Sequence, residues 1–141
     1  MNETIETLKK EDIKLYKTLI DECFGGSNNI SFYSNYEKNN NYKIFVFKKD
    51  NKIVGSITAY KIELFTYSFQ TALEIFNVCV LKEYRKNNIA KALFDEVIEY
   101  AKQENCKSMF LTCLDTVIAA HKLYESVEFK RMTSIKYNMN I

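Results

Sequence analysis

The 141-residue chain contains no proline, no tryptophan, only three glycines and a single histidine. Without proline or a glycine-rich stretch, no segment has the composition of an interdomain linker, and we find no internal repeat. A chain of this length buries a hydrophobic core without disulfides or a metal. The sequence therefore predicts a single domain over residues 1–141.

The chain also has little net charge and no long apolar run. No apolar stretch approaches the length of a membrane-spanning helix. The formal net charge is +2, and basic residues occur at most in adjacent pairs, which does not favour nucleic acid or a membrane as a partner. Residues 1–12 are charged and lack the apolar core of a signal peptide. We expect a cytoplasmic protein, either a monomer or a homodimer.

The thiols and the single imidazole argue against a metal centre. Cys23, Cys79, Cys106 and Cys113 are widely spaced, and none forms a Cys-x-x-Cys pair. A zinc site would need cysteine and carboxylate ligands besides His121, at spacings that we do not see. The sequence predicts buried, reduced thiols and no bound metal.

The first half of the chain changes from a helical to a β pattern. A short strand at 5–8 precedes a helix at 10–24, which Gly25 and Gly26 end. The polar segment 27–41 predicts a mobile loop that can include one helical turn. Two strands within 42–65 are joined by Asp50-Asn51, which is typical of a β-hairpin, and a third strand follows at 71–81.

The second half alternates between helices and strands. A helix at 89–104, a strand at 108–114, a helix at 116–127 and a closing strand at 129–141 are predicted. The first of these helices would bury Ile89, Leu93, Val97, Ile98 and Ala101. The order β-α-β-β-β-α-β-α-β predicts an α+β fold, in which a mixed, mostly antiparallel central sheet is flanked by helices.

The stretch from Tyr84 to Leu93, YRKNNIAKAL, has the features of an anion-binding loop. The first N–H groups of a helix have no intrahelical acceptor, and the helix dipole makes that end positive. Asn88 tolerates the left-handed conformation that such a loop needs, and the small Ala90 permits close approach. Arg85 and Lys86 add positive charge. These residues suit a pyrophosphate site at a helix start, but taken alone they favour an ordinary capped helix start.

Two motifs give the chain a family resemblance. The strand-loop-helix segment with Arg85, Asn88 and Ala90 is similar to the Arg/Gln-x-x-Gly-x-Gly/Ala segment of the GNAT superfamily of N-acetyltransferases. The stretch AAHKLYESVEF resembles the family's Ala-x-x-x-Tyr-Glu-x-x-Gly-Phe helix. Recognisable motif residues lie within 71–129, whereas the element order matches throughout. The resemblance implies the GNAT fold and transfer of an acetyl group from acetyl-CoA to a primary amine.

The resemblance also implies the residues that bind the cosubstrate. Backbone groups of the strand would pair with the pantetheine arm in a gap between the strands at 71–81 and 108–114. The loop and helix start would bind the phosphates. These candidate residues are Val78, Cys79, Val80, Arg85, Lys86, Asn87, Asn88, Ile89, Ala90 and Lys91.

Two side chains are candidates for proton transfer. Tyr124 matches the family tyrosine that lies near the cofactor sulfur and acts as general acid, a role that suits a phenol. Glu74 matches a position at which some members carry a catalytic glutamate. Burial would make its carboxylate a better proton acceptor, whereas a location near a strand end would leave it exposed and without a role. His121 has no role in either motif.

Three positions depart from the family pattern, and they keep other functions open. Asn88 and Glu128 replace glycines, and Val117 replaces a common asparagine. One alternative is a catalytically weak GNAT-fold domain that binds acyl-CoA or a protein partner, and another is an unrelated α+β binding domain. The acceptor is not readable from the sequence. Small amines, protein N-termini and lysines remain open, and the aromatic residues and Glu37 of the segment 27–41 are candidate contacts.

Overall fold

The computed structural model describes residues 3–113 and 116–141 and contains one five-stranded sheet. The strands are β1 (Glu3–Thr7), β2 (Tyr42–Lys49), β3 (Lys52–Leu64), β4 (Gln70–Val80) and β5 (Ser108–Phe110). The helices are α1 (Ile13–Phe24), α2 (Tyr33–Lys38), α3 (Ile89–Gln103) and α4 (Ile118–Ser126). None of the helices in the described part of the chain is long and apolar enough to cross a bilayer.

The strands lie in chain order across the sheet, and their directions confirm the predicted mixed topology. The pairs β1–β2, β2–β3 and β3–β4 are antiparallel, whereas β4–β5 is parallel. Helix α3 connects the parallel pair, as expected for a β-α-β unit. The predicted hairpin is also confirmed, because Asp50 and Asn51 adopt φ values of 54° and 60°, which suit a type I′ turn.

Helices α1 and α3 cover opposite faces of the sheet. Helix α3 packs on β2, β3 and β4, and buries Ile89, Leu93, Phe94, Val97 and Ala101. The predicted apolar face is therefore correct except that Phe94 is buried and Ile98 only half-buried. On the other face α1 packs on β3 and β4, and buries Tyr16 and Leu19.

Gly55 allows α3 to begin close to the sheet. A Cβ atom built on Gly55 would lie 3.0 Å from Cγ2 of Ile89 and 3.3 Å from the carbonyl oxygen of Cys79. Since Gly55 pairs with Val80 in the sheet, the missing side chain brings the first residue of α3 over the end of β4.

The closing-strand prediction was wrong, and the segment 27–41 contains more helix than the one predicted turn. The segment 27–41 contains a 3₁₀ turn at Ile30–Phe32 and helix α2, because its aromatic side chains pack on the core. Residues 128–141, all of which are described, contain no strand. Their alternating apolar side chains are exposed, and β5 offers an edge of only three residues, which is too short to pair with a long strand.

Two smaller predictions also need correction. Strand β5 ends at Phe110, although a strand was expected over 108–114; residue 114 lies outside the described residues. The four cysteines are reduced as predicted, but only Cys79 is buried, and the other three are half-buried. Cys79 is deepest because β4 crosses the middle of the core under α1.

Candidate active site

Strand β5, at the edge of the sheet, separates from β4 partway along the length of β4. Their register pairs Ala72 with Ser108, Leu73 with Met109 and Glu74 with Phe110, and it ends there. Strand β4 continues to Val80, paired with β3 alone. We call the point where Glu74 and Phe110 pair the fork. Beyond the fork, one edge of β4 has backbone groups without a strand partner in the described chain.

A bulge in β4 lies just beyond the fork. Ser56 pairs with Cys79 and Thr58 with Phe76, so that two residues of β4 oppose one residue of β3. Asn77, one of these two residues, has a left-handed backbone with φ 52°. A bulge bends its strand and redirects the neighbouring N–H and C=O groups. The predicted residues Val78, Cys79 and Val80 follow this bulge on the unpaired edge.

The start of α3 has the geometry of an anion site. Asn88 precedes the helix with φ 60° and ψ 19°, the left-handed conformation that the sequence predicted. The Asn88 side chain makes no capping hydrogen bond. The N–H groups of Ile89, Ala90 and Lys91 therefore have neither an intrahelical acceptor nor a side-chain cap. This helix end can bind an anion through its backbone.

The basic loop is attached to the end of β4. Arg85 donates from Nε to the carbonyl oxygen of Val80 at 3.1 Å, and Asn87 donates from Nδ2 to the carbonyl oxygen of Tyr84 at 3.2 Å. Lys86 has a left-handed φ of 66°, and its side chain is exposed. The ten predicted cosubstrate residues thus lie between the end of β4 and the first turn of α3. Within this segment, the Arg85 side chain carries a positive charge and also attaches the loop to β4 through its hydrogen bond.

Glu74 lies at the fork itself. It pairs with Tyr60 on β3 and with Phe110 on β5, and its side chain is half-buried. Glu74 thus lies within β4 rather than near its end, and its burial is intermediate between the two expected alternatives. The carboxylate is close to the edge of β4 that continues alone, where it can reach a substrate.

Tyr124 lies on α4, the helix that follows β5 in the chain. Its ring packs edge-on against Phe94 of α3 at a centroid distance of 5.8 Å and against Phe129 at 6.4 Å. Burial raises the pKa of the Tyr124 hydroxyl, and the nearby Cys113 thiol adds to this effect. The phenol therefore stays protonated at neutral pH and can donate a proton. None of its described ring contacts is with β4.

An open cleft of about 1040 Å³ adjoins Tyr124. It lies between β5, α4 and the segment 130–136, and His121, Cys113 and Phe110 also line it. Among the residues that the structure describes, no three His, Cys, Asp or Glu side chains lie close enough to hold a metal ion.

Glu128 shows why the departures from the family glycines are tolerated. It follows α4 with φ 73°, so the backbone there is left-handed although the residue is not glycine. Asn88 and Glu128 therefore both keep the conformation for which glycine is usual. Val117 precedes α4 without capping it.

Sequence reasoning missed Tyr60 and Phe110, the two neighbours of Glu74, and it missed Gly55. Tyr60 and Phe110 lie 14 and 36 residues from Glu74 in the chain, and only the strand register brings them together. The signal for Gly55 was its presence in an otherwise β-rich run, where glycine commonly marks a close approach of backbone.

Residues 13–129 match the model of the acetyltransferase (GNAT) family. The chain belongs to this family. Among curated proteins it is 33% identical to N-acetylaspartate synthetase of Xenopus tropicalis over 90 residues, which are 64% of this chain and 31% of that protein. It is 29% identical to human N-acetyltransferase 8B over 87 residues, 62% of this chain and 38% of that protein. The chain thus spans about a third of the length of these relatives.

Solved structures confirm the GNAT fold. An acetyltransferase of Trypanosoma brucei superimposes with a TM-score of 0.85 at 18% identity, covering 99% of this chain and 100% of the other. AAC(6′)-Iy, in complex with the bisubstrate analogue CoA-S-monomethyl-acetylneamine, gives a TM-score of 0.85 at 14% identity over 100% and 99% of the two chains. The chain is therefore a GNAT acetyltransferase domain with a fork between its parallel strands.

Proposed function

We propose that this domain transfers an acetyl group from acetyl-CoA directly to a primary amine at the fork. A carbon–nitrogen bond forms and the carbon–sulfur bond of the thioester breaks; the ammonium nitrogen loses two protons in all, one of which passes to solvent while the other balances the proton that the departing sulfur gains. The observation that supports this proposal most is the separation of β4 from β5 immediately before a helix start with unpaired N–H groups.

The chain's backbone suits the two parts of such a cosubstrate. The edge of Val78, Cys79 and Val80 offers strand-type hydrogen bonds to an extended amide-containing arm. The N–H groups at the start of α3 suit a pyrophosphate. When bound, acetyl-CoA supplies an activated acetyl group. Lys86 and Lys91 are exposed beside this helix start and add positive charge.

Glu74 and Tyr124 are the proposed proton-transfer residues. Glu74 removes a proton from the incoming ammonium, directly or through water, because it is the carboxylate at the fork. Tyr124 protonates the departing thiolate, because its hydroxyl keeps its proton at neutral pH. Glu74 lies on β4 at the fork and Tyr124 on α4, so the two proposed roles belong to different elements.

A domain that only binds acyl-CoA is the alternative. The replacement of two family glycines favoured it, but both Asn88 and Glu128 adopt left-handed backbone conformations. The loop and the end of α4 thus keep the geometry that a glycine would give. The enzyme and the binding-only domain therefore differ in whether the acetyl group of bound acetyl-CoA is transferred to an amine.

The acceptor is a separate question, because the names of similar proteins point to different molecules. One relative is named for N-acetylaspartate, and the analogue bound to AAC(6′)-Iy contains neamine. The first would bring carboxylates to the fork and the second would bring several amines. Because Glu74 is itself anionic, a cationic amine is the better match to this site.

A thiol-release assay with a panel of amines tests the proposal. We expect purified protein to release free coenzyme A from acetyl-CoA in the presence of at least one amine, in equal amount to the acetylated product. A Glu74→Gln variant that binds coenzyme A as tightly as the parent protein serves as control for the binding step. Tight cosubstrate binding without acetylation of any amine would instead support the binding-only alternative.

A further inference from the structure

Four side chains form a continuous row across the sheet at the fork. Tyr42 pairs with Tyr60, Tyr60 with Glu74, and Glu74 with Phe110. Residues opposite each other on neighbouring strands project from the same face, so the row is about 14 Å long at the usual strand spacing. We call Tyr42, Tyr60, Glu74 and Phe110 the carboxylate row. It places one acidic group between aromatic rings.

The central part of the carboxylate row is open to solvent. Tyr60 is 38% exposed and Phe110 is 40% exposed, although both rings lie on a sheet face whose other end is covered by α1. Large aromatic side chains on a sheet face are normally covered in a monomeric domain. The uncovered rings on either side of Glu74 therefore form a surface that a small molecule can reach.

The positive charges next to the row point away from it. Lys43 pairs with Ala59 and Lys61 with Leu73, so both lysines project from the opposite face. Lys61 is held there by Glu104 at 2.9 Å. Among the described residues none forms a salt bridge with Glu74. The carboxylate is therefore not held by a neighbouring lysine or arginine among the described residues.

Further tyrosines extend the aromatic surface away from the fork. The rings of Tyr42 and Tyr60 are 6.0 Å apart, and Tyr36 of α2 lies 6.3 Å from Tyr42. Tyr36 is fixed by a hydrogen bond from the N–H of Ile44 to its hydroxyl at 3.3 Å. At the other end, beyond Phe110, the cleft contains Lys130 and Arg131. The body of an amine bound at Glu74 therefore extends toward the tyrosines and away from these cations.

We propose that the carboxylate row selects the acceptor, and that the acceptor is a primary alkylammonium ion without a carboxylate near its nitrogen. This inference rests on the proposed function. Tyr60 and Phe110 present π-systems to the cation, and Glu74 supplies the opposite charge. An acceptor with a carboxylate beside the amine meets Glu74 with like charge, and a neutral arylamine gains nothing from either interaction.

Three amines of similar size test the selection. Phenethylamine is a cation, phenylalanine is the same molecule with a carboxylate beside the nitrogen, and aniline is neutral at pH 7. We expect kcat/KM to be highest for phenethylamine, at least about 10-fold above the other two, because phenylalanine adds a like-charge contact with Glu74 and aniline lacks the attractive one. Aspartate, with two carboxylates, should be the poorest acceptor.

Ring-removal variants test the role of the row without touching the proposed base. Tyr60→Leu and Phe110→Leu should each raise KM for phenethylamine about 2- to 5-fold with little change in kcat, which corresponds to an exposed cation–π contact. Phe69→Leu is the matched control, since Phe69 is 69% exposed and lies outside the row. Equal melting temperatures would show that the variants are folded.

The outcomes separate this inference from the proposed function. If the protein acetylates phenylalanine, aspartate or aniline as well as phenethylamine, or if the leucine variants at Tyr60 and Phe110 leave KM unchanged, the row does not select the acceptor, although acetyl transfer stands. If no amine is acetylated, the proposed function fails and this inference fails with it.

Discussion

The two sides of the fork present different parts of the chain to their ligands. On the cosubstrate side, the unpaired edge of β4 and the start of α3 offer backbone groups. On the acceptor side, the carboxylate row offers side chains. A backbone site depends on conformation and on free space, whereas a side-chain site depends on the chemical identity of each residue.

This difference explains why positions that contribute only backbone accommodate unusual residues. Asn88 and Glu128 stand where the family pattern has glycine, yet both keep positive φ values of 60° and 73°. The N–H groups that follow Asn88 therefore point as they would after a glycine. No comparable substitution is available to Glu74, because its charge is its contribution.

Blocking the backbone site should give the largest effect. Ala90→Glu places a long anionic side chain at the helix start, where it excludes a pyrophosphate by clash and by repulsion. We expect no measurable coenzyme A affinity by isothermal titration calorimetry. Gln103→Glu makes the same charge change at the exposed far end of α3 and should bind as the parent does. Equal affinity in Ala90→Glu and the parent would refute the loop assignment.

Removing the proposed acid should affect turnover alone. Tyr124→Phe keeps the ring contacts with Phe94 and Phe129 and loses only the hydroxyl. We expect kcat to fall by about 10²–10⁴-fold at unchanged coenzyme A affinity, measured with an acceptor that the parent uses. Tyr137→Phe, at an exposed position, is the control. Near-parental kcat with a lower melting temperature would assign Tyr124 a structural role instead.

Filling the space at Gly55 should weaken cosubstrate binding by displacing the backbone of α3. Valine is a favourable strand residue, but at Gly55 its side chain meets Ile89 and the carbonyl of Cys79. We expect Gly55→Val to lower the free energy of unfolding by about 1–3 kcal/mol, and to weaken coenzyme A binding because α3 must shift. Chemical denaturation and calorimetry measure the two effects. Unchanged values in both would mean that α3 does not need this close approach.

Restoring the family glycines should have the smallest effects. Glu128→Gly should raise the free energy of unfolding by about 1 kcal/mol, because a left-handed backbone is less favourable for glutamate than for glycine. Asn88→Gly should change stability less, since asparagine tolerates this region, and coenzyme A affinity should stay equal or improve. Melting curves of the two variants compare the positions directly. A larger gain at Asn88 than at Glu128 would contradict this ranking.

The sequence predicted the parts that local chemistry determines. Asp50-Asn51, the apolar stripe of α3 and the left-handed Asn88 depend on a few neighbouring residues, and the structure agrees with each. The environment of Glu74 was not predictable, because its neighbours Tyr60 and Phe110 are set by strand register. The predicted strand at 129–141 failed for the same reason. Its alternating pattern suits a strand, but a strand needs a partner edge, and the length of β5 could not be predicted from local sequence.

Hydrogen–deuterium exchange with and without coenzyme A tests the central claim most directly, because it reports backbone N–H groups one segment at a time. The account predicts that coenzyme A slows exchange in Ile75–Val80, beyond the fork, and in the segment 86–91 at the start of α3. Exchange in α1 and in β1 should not change. Protection that is absent from both predicted segments, and is found instead along the cleft beside α4, would contradict a cosubstrate site built from the unpaired backbone of β4 and α3.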